Sequence, residues 1–246
     1  MTRVSDLPTS ADGWAFFLDV DGTLIDIAPT PEAVAIPPEL PGVLTRLSDR
    51  TGGALALVSG RPMESLDRFF APLRLPSAGI HGAEMRFADG STESLAADEI
   101  EAVRLRLRAL GAERGLLVEE KSVSVTIHFR TRPELEGELE AAIREIVAGE
   151  PHLALQPGKM MLEVRPASAD KGRALKRFME RPPFAGRTPL AIGDDLTDEH
   201  MFRVAVDKGG VAVRVGTDRR KTVATHHLDG PESVRSWLSR MAQGPR

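Results

Sequence analysis

The sequence predicts an α/β protein in which an open, mainly parallel sheet is interrupted by a smaller antiparallel α+β unit. Three observations predict it. Short, nearly continuous apolar runs at 15–20 (AFFLDV), 54–58 (ALALV), 189–192 (PLAI) and 210–215 (GVAVRV) suit strands buried on both faces, as in parallel sheets. Apolar residues at helical spacing separate these runs at both chain ends. In the middle, 121–130 (KSVSVTIHFR) changes period and places Val123, Val125, Ile127 and Phe129 on one face and Ser122, Ser124, Thr126, His128 and Arg130 on the other, as in a strand with one buried side.

Helices are expected over 38–50 (Leu40, Val43, Leu44, Leu47), 170–179 (Leu175, Phe178, Met179), 197–206 (Met201, Val204, Ala205) and 231–241 (Val234, Trp237, Leu238, Met241). The central unit opens with a hairpin over 84–94, turning at Asp89-Gly90. A helix near 98–113 follows, then the alternating strand, a helix at 134–148 and a strand pair near 152–156 and 160–165. Residues 1–82 and 167–246 therefore form one discontinuous domain and 83–166 an inserted one, expected to cover the edge of the larger sheet.

Composition narrows the function. With 246 residues, 41% hydrophobic and 28% charged, the chain can bury a core without covalent staples. Thirty-two Lys and Arg against 36 Asp and Glu leave a net charge of −4, which disfavours a nucleic-acid partner. The absence of cysteine excludes disulfides, thiolate metal sites and cysteine nucleophiles, and suits the cytoplasm. No run of about 18 apolar residues and no signal-peptide core is present, so neither membrane nor export is expected.

The chemistry concentrates at strand ends. Asp19-Val20-Asp21-Gly22-Thr23 follows the first apolar run, and the i, i+2 spacing lets Asp19 and Asp21 converge beyond the carboxyl end of a strand. Two close carboxylates repel unless a cation such as Mg²⁺ lies between them. An ordinary turn or a calcium-type loop would use the same residues. A second acidic cluster, 193–200 (GDDLTDEH), places Asp194 and Asp195 at another strand end, although acids at a helix N-terminus also serve the helix itself. Ser59, in SGRP after ALALV, and Lys171, in SADKGRAL, are ordinary capping and solvated residues alone, and phosphate ligands in combination.

DVDGT at 19–23, Ser59, Lys171 and GDD at 193–195 occur in the order that resembles the haloacid dehalogenase superfamily of phosphotransferases. LDVDGTL, VSGRP, GIHGAE, KSVSVTIHFR, 159–166 (KMMLEVRP) and GDDLTDEHMF look like its trehalose-6-phosphate phosphatase family, over residues 15 to about 215. The resemblance implies a Rossmann-like core with an inserted α/β cap of the type IIB kind. It implies that Asp19 is the nucleophile, Asp21 the general acid and base, and Ser59 and Lys171 the holders of phosphoryl oxygens. Mg²⁺ would be bound by Asp19, the Asp21 main-chain carbonyl and Asp194, with Asp195 and Asp198 as surrounding orienters. Arg61, His81, Gly82, Lys121, His128, Arg130 and Glu163 become candidate sugar contacts, although His128 and Arg130 would equally suit a solvated strand face and His81 a hinge. The expected enzyme is a monomer that hydrolyses trehalose 6-phosphate through a phospho-aspartyl intermediate. A phosphatase for sucrose 6-phosphate or mannosyl-3-phosphoglycerate and a non-catalytic sugar-phosphate-binding regulator are the alternatives.

Overall fold

A computed structural model of the protein describes residues 7–28, 34–95, 98–158, 160–217 and 221–243. Lys159, which opens the KMMLEVRP segment, lies outside them. Two compact units emerge, one from residues 1–93 and 170–246 and one from residues 94–169.

In the first unit, β1 (Trp14–Leu18) lies at the centre of a sheet with β2 (Leu55–Val58) on one side and β10 (Thr188–Gly193) on the other, both parallel to it. Its side chains alternate between two cores, which is why the run reads as continuously apolar. Phe16 and Leu18 pack with α1 (Leu40–Arg50), α2 (Met63–Phe70) and α7 (Pro231–Gln243). Ala15 and Phe17 pack with α5 (Lys171–Met179) and α6 (Asp198–Asp207). Phe17 meets Phe178 and Phe184 with ring centroids 6.1 and 5.5 Å away, and its truncation to Ala would cost about 3–5 kcal/mol.

The sheet continues through β11 (Val211–Val215) to β12 (His226–Leu228), and through β3 (Ser77–Gly79) to β4 (Glu84–Arg86) and β5 (Thr92–Ser94). The expected hairpin is present, and Asp89 Oδ1 accepts from the Ser91 amide at 2.9 Å in its turn. It extends the large sheet, however, since β4 runs antiparallel to β3. Arg177 and Arg181 of α5 both donate to Glu93 Oε1, at 2.7 and 2.6 Å. The border between units therefore falls near residue 94 rather than at 83, because edge pairing assigns the hairpin to the sheet it lengthens.

The second unit is a four-stranded antiparallel sheet, ordered β6 (Leu117–Glu120), β7 (Val125–His128), β9 (Met161–Pro166) and β8 (Leu153–Gly158). One face buries Val125, Ile127, Leu162 and Val164 with residues of α3 (Asp98–Glu113) and α4 (Glu136–Val147). The expected ten-residue strand is shorter: the Lys121 amide donates to the Ser124 carbonyl in a turn, and β7 begins only at Val125. Its polar side is also less solvated than the alternation implies, because Ser124 and Thr126 are buried.

Candidate active site

Adjacent parallel strands bring distant residues to one edge of the large sheet. Leu18 is in register with both Ile192 and Leu57, so Asp19, Asp194 and Ser59 all follow neighbouring strand ends. The Asp19 amide donates to the Ile192 carbonyl at 3.0 Å. Lys171, first residue of α5, donates through Nζ to Asp19 Oδ1 at 2.7 Å and to Asp198 Oδ1 at 2.5 Å. Asp170 caps that helix by accepting from the Arg173 amide at 2.8 Å. Carboxylate oxygens of Asp19, Asp194 and Asp198 all lie within 4.8 Å of one another.

These charges are withdrawn from water: Asp19 is 5% exposed, Lys171 3% and Asp198 0%. Burial pushes the Asp19 carboxyl well above its usual range, Asp198 and Asp194 push the same way, and Lys171 opposes them. Asp194 is pushed up to about 6, chiefly by burial and then by Asp198. Burial works against the Lys171 ammonium, but Asp19 and Asp198 outweigh it and raise its pKa. Three carboxylates thus share one ammonium, a deficit of positive charge that a hard, oxygen-seeking divalent cation would correct. Gly22, at φ +79°, lets the Asp194 carboxylate approach the turn after Asp21, since a Cβ there would collide with it. The residues therefore fit Mg²⁺. Asp198 already engages Lys171 with one oxygen and accepts from the Asp195 amide with the other, at 2.9 Å, whereas the Asp195 side chain is exposed. Asp19 and Asp194 are accordingly better placed as ligands, and Asp198 as the group that aims Lys171.

Asp21 and Arg61, expected in separate roles, form one bidentate pair: Nε donates to Oδ2 and Nη2 to Oδ1, both at 2.6 Å. The Arg61 guanidinium also lies 4.6 Å from the centroid of the Phe69 ring. Ser59 Oγ accepts from the Arg61 amide at 3.1 Å. His81 is buried, and its ring lies against Gly60. Gly82 meets the start of α5.

In the second unit, register aligns Glu119, Thr126, Glu163 and Gln156 across the four strands, on the face opposite the apolar core. Glu163 is 1% exposed, and its Oε1 accepts from Lys121 Nζ and Ser124 Oγ, each at 2.9 Å, and from Thr126 Oγ1 at 3.4 Å. His128 Nε2 lies 2.9 Å from Glu119 Oε2, a contact that holds the Glu119 carboxyl below its ordinary value. Lys121, His128 and Glu163 thus share a face, while Arg130 is exposed beyond the end of β7. Glu119 is the residue that sequence reasoning missed; its place two residues before Lys121, on the same side of a strand, was the available signal.

A family model described as trehalose-phosphatase matches residues 17–232. The chain belongs to the trehalose-phosphatase family. A Sinorhizobium fredii protein named probable trehalose-phosphate phosphatase is 43% identical over 97% of this chain and 91% of its own length. A trehalose-6-phosphate phosphatase of Escherichia coli is 38% identical over 96% and 89%. Among solved structures, the C-terminal domain of the Candida albicans trehalose-6-phosphate phosphatase superposes with a TM-score of 0.81, at 26% identity, covering 94% of this chain and 92% of that one. Family membership makes the chain a phosphoric monoester hydrolase with the haloacid dehalogenase-like fold. No helix among the described residues is long and apolar enough to cross a membrane.

Proposed function

We infer that the protein hydrolyses trehalose 6-phosphate to trehalose and inorganic phosphate, the last step of trehalose biosynthesis, using Mg²⁺ and a phospho-aspartyl intermediate. The observation that carries the reading is the placement of Asp19, whose carboxylate meets Lys171 at 2.7 Å within a cluster completed by Asp194 and Asp198. A buried nucleophile with a cation on one oxygen and acidic neighbours suits attack on a phosphate ester.

Asp19 and Asp194, with the Asp21 main-chain carbonyl, would hold Mg²⁺. When bound, the ion offsets the repulsion between an anionic nucleophile and an anionic ester. An Asp19 carboxylate oxygen bonds to phosphorus as the phosphorus–sugar oxygen bond breaks. Asp21 passes a proton to the departing sugar oxygen, then takes one from the water that attacks the aspartyl-phosphate, releasing phosphate and restoring Asp19. Both Asp21 oxygens accept from Arg61 in the structure, so proton delivery requires at least one of those contacts to yield. Ser59 and Lys171 bind the non-bridging phosphoryl oxygens, where charge is spread in the transition state. Specificity is assigned to the polar face of the second unit. Its Lys121, Glu163 and His128, with Glu119, offer the paired donors and acceptors that sugar hydroxyls need.

The absence of cysteine suits a reducing compartment, and the reading places the reaction in the cytoplasm, carried out by a monomer on a small-molecule substrate. Phosphate release from trehalose 6-phosphate, sucrose 6-phosphate and mannosyl-3-phosphoglycerate, each with Mg²⁺ and with EDTA, tests it. Metal-dependent release confined to trehalose 6-phosphate is expected. Preference for another ester replaces the substrate, and binding without release at any metal concentration favours a regulator.

A further inference from the structure

Ile80, His81 and Gly82 have three successive positive φ angles, 44°, 55° and 98°. Two of them carry side chains, and non-glycine residues adopt this conformation only where surrounding contacts compel it. The contacts lead to the Ser59–Arg61 loop. The His81 amide donates to the Ser59 carbonyl and the Ile80 amide to the Arg61 carbonyl, both at 2.9 Å, while the Ser59 amide donates to Ala78 at the same distance. Glu84 Oε2 accepts from the Met63 amide at 2.8 Å, fixing the far end of the same loop where α2 begins. The imidazole occupies the space above Gly60: a Cβ on Gly60 would stand 2.8 Å from its Nε2 and 2.9 Å from its Cε1. On the opposite side, a Cβ on Gly82 would stand 3.0 Å from both the Asp170 carbonyl oxygen and the Ala174 Cβ, at the first turn of the helix that carries Lys171.

We propose that the Ile80–Gly82 turn braces the Ser59–Arg61 loop against the start of α5, and that His81 is a positioning residue for phosphoryl transfer, acting through Gly60, rather than a sugar contact. The proposal rests on the phosphatase reading for its kinetic consequence and on the Gly60–His81 contact for its structural one. A brace of this kind explains why the left-handed turn persists: relaxing it would shift Ser59 and Arg61 together relative to Lys171.

The test combines His81→Ala, His81→Asn and Gly60→Ala with the Gly60→Ala/His81→Ala double variant. A misplaced phosphate loop affects every ester, so His81→Ala should lower kcat about 10²-fold for both trehalose 6-phosphate and p-nitrophenyl phosphate, with KM moving less than about threefold. Asparagine tolerates positive φ, so His81→Asn should recover most of any Tm lost by the Ala variant while leaving kcat low. Gly60→Ala should be harmful in the wild-type background and nearly silent once the ring is gone. A loss confined to trehalose 6-phosphate, a loss expressed in KM, an unchanged kcat, or full restoration of kcat by Asn overturns the proposal. If the wild-type chain hydrolyses no phosphate ester, the phosphatase reading fails separately. The brace is then decided by Tm across the Gly60/His81 cycle, where non-additive effects uphold it and additive effects reject it.

Discussion

Arg61 grips Asp21 through two parallel contacts of 2.6 Å, joining the residue after Gly60 to the acid two positions beyond the proposed nucleophile. A lysine ammonium cannot reproduce that fork. The fork fixes where the Asp21 carboxyl stands before the contact opens for proton delivery, so Arg61→Lys should misplace the acid and slow hydrolysis of trehalose 6-phosphate by about 10- to 100-fold, within the range carried by a positioned general acid. A p-nitrophenyl ester, whose leaving group needs no proton, should lose much less, and steady-state kinetics on the two substrates make the comparison. Equal losses would detach Arg61 from proton delivery.

Replacing Asp19 by Asn removes the attacking oxygen anion while keeping the side chain's shape. Turnover should disappear. The fold should survive without metal, because burial already disfavours charge at this position and the change relieves repulsion with Asp194 and Asp198. Phosphate release and a thermal melt in EDTA check both halves, and substantial residual activity would move the nucleophile elsewhere.

Lys171→Met leaves Asp19 and Asp198 without their shared cation. Breaking a buried pair in this way costs about 3–5 kcal/mol. The deficit relative to wild type, measured by denaturant titration in EDTA, should be largest near neutral pH and shrink as the pH falls and Asp19, whose carboxyl pKa burial already raises, takes up a proton. A pH-independent deficit would mean that lost packing, not lost charge, is responsible.

Metal and protons should compete for the same carboxylates. Asp194 has a folded-state pKa of about 6 against an ordinary 3.8, and Asp19 is raised as well. A raised carboxyl contributes stability that is complete below the unfolded value and lost as pH climbs through the folded one, between about pH 4 and 6. For Asp194 the change is on the order of 2–3 kcal/mol. Mg²⁺ favours the ionised forms, so the rise in Tm on adding it should be several degrees larger at pH 7 than at pH 5. An equal rise at both would show that these acids are not the ligands.

Glu163 is held by Lys121, Ser124 and Thr126 in the second unit. Glu163→Gln keeps the shape but removes the charge, and it should impair trehalose 6-phosphate hydrolysis at least about tenfold while sparing p-nitrophenyl phosphate. Parallel losses would make Glu163 a structural residue of its sheet.

What the sequence determined by itself was local. Continuous apolar runs marked β1, β2, β10 and β11, helical spacing marked α1, α5, α6 and α7, and the strand-end positions of Asp19, Ser59 and Asp194 with the helix start at Lys171 marked a candidate phosphate-handling edge, because burial and chain periodicity are written into neighbouring residues. Tertiary structure alone decided what depends on partners far along the chain. The hairpin at 84–94 has the same local pattern whichever sheet it joins, and only pairing with β3 assigns it to the large one. Asp198 resembles any helix-start acid until Lys171 reaches it, and Asp21, Arg61 and His81 reveal their partners only once β1, β2 and β3 lie side by side. Local sequence sets which side chains face inward; the long-range register of the sheet sets which of them meet.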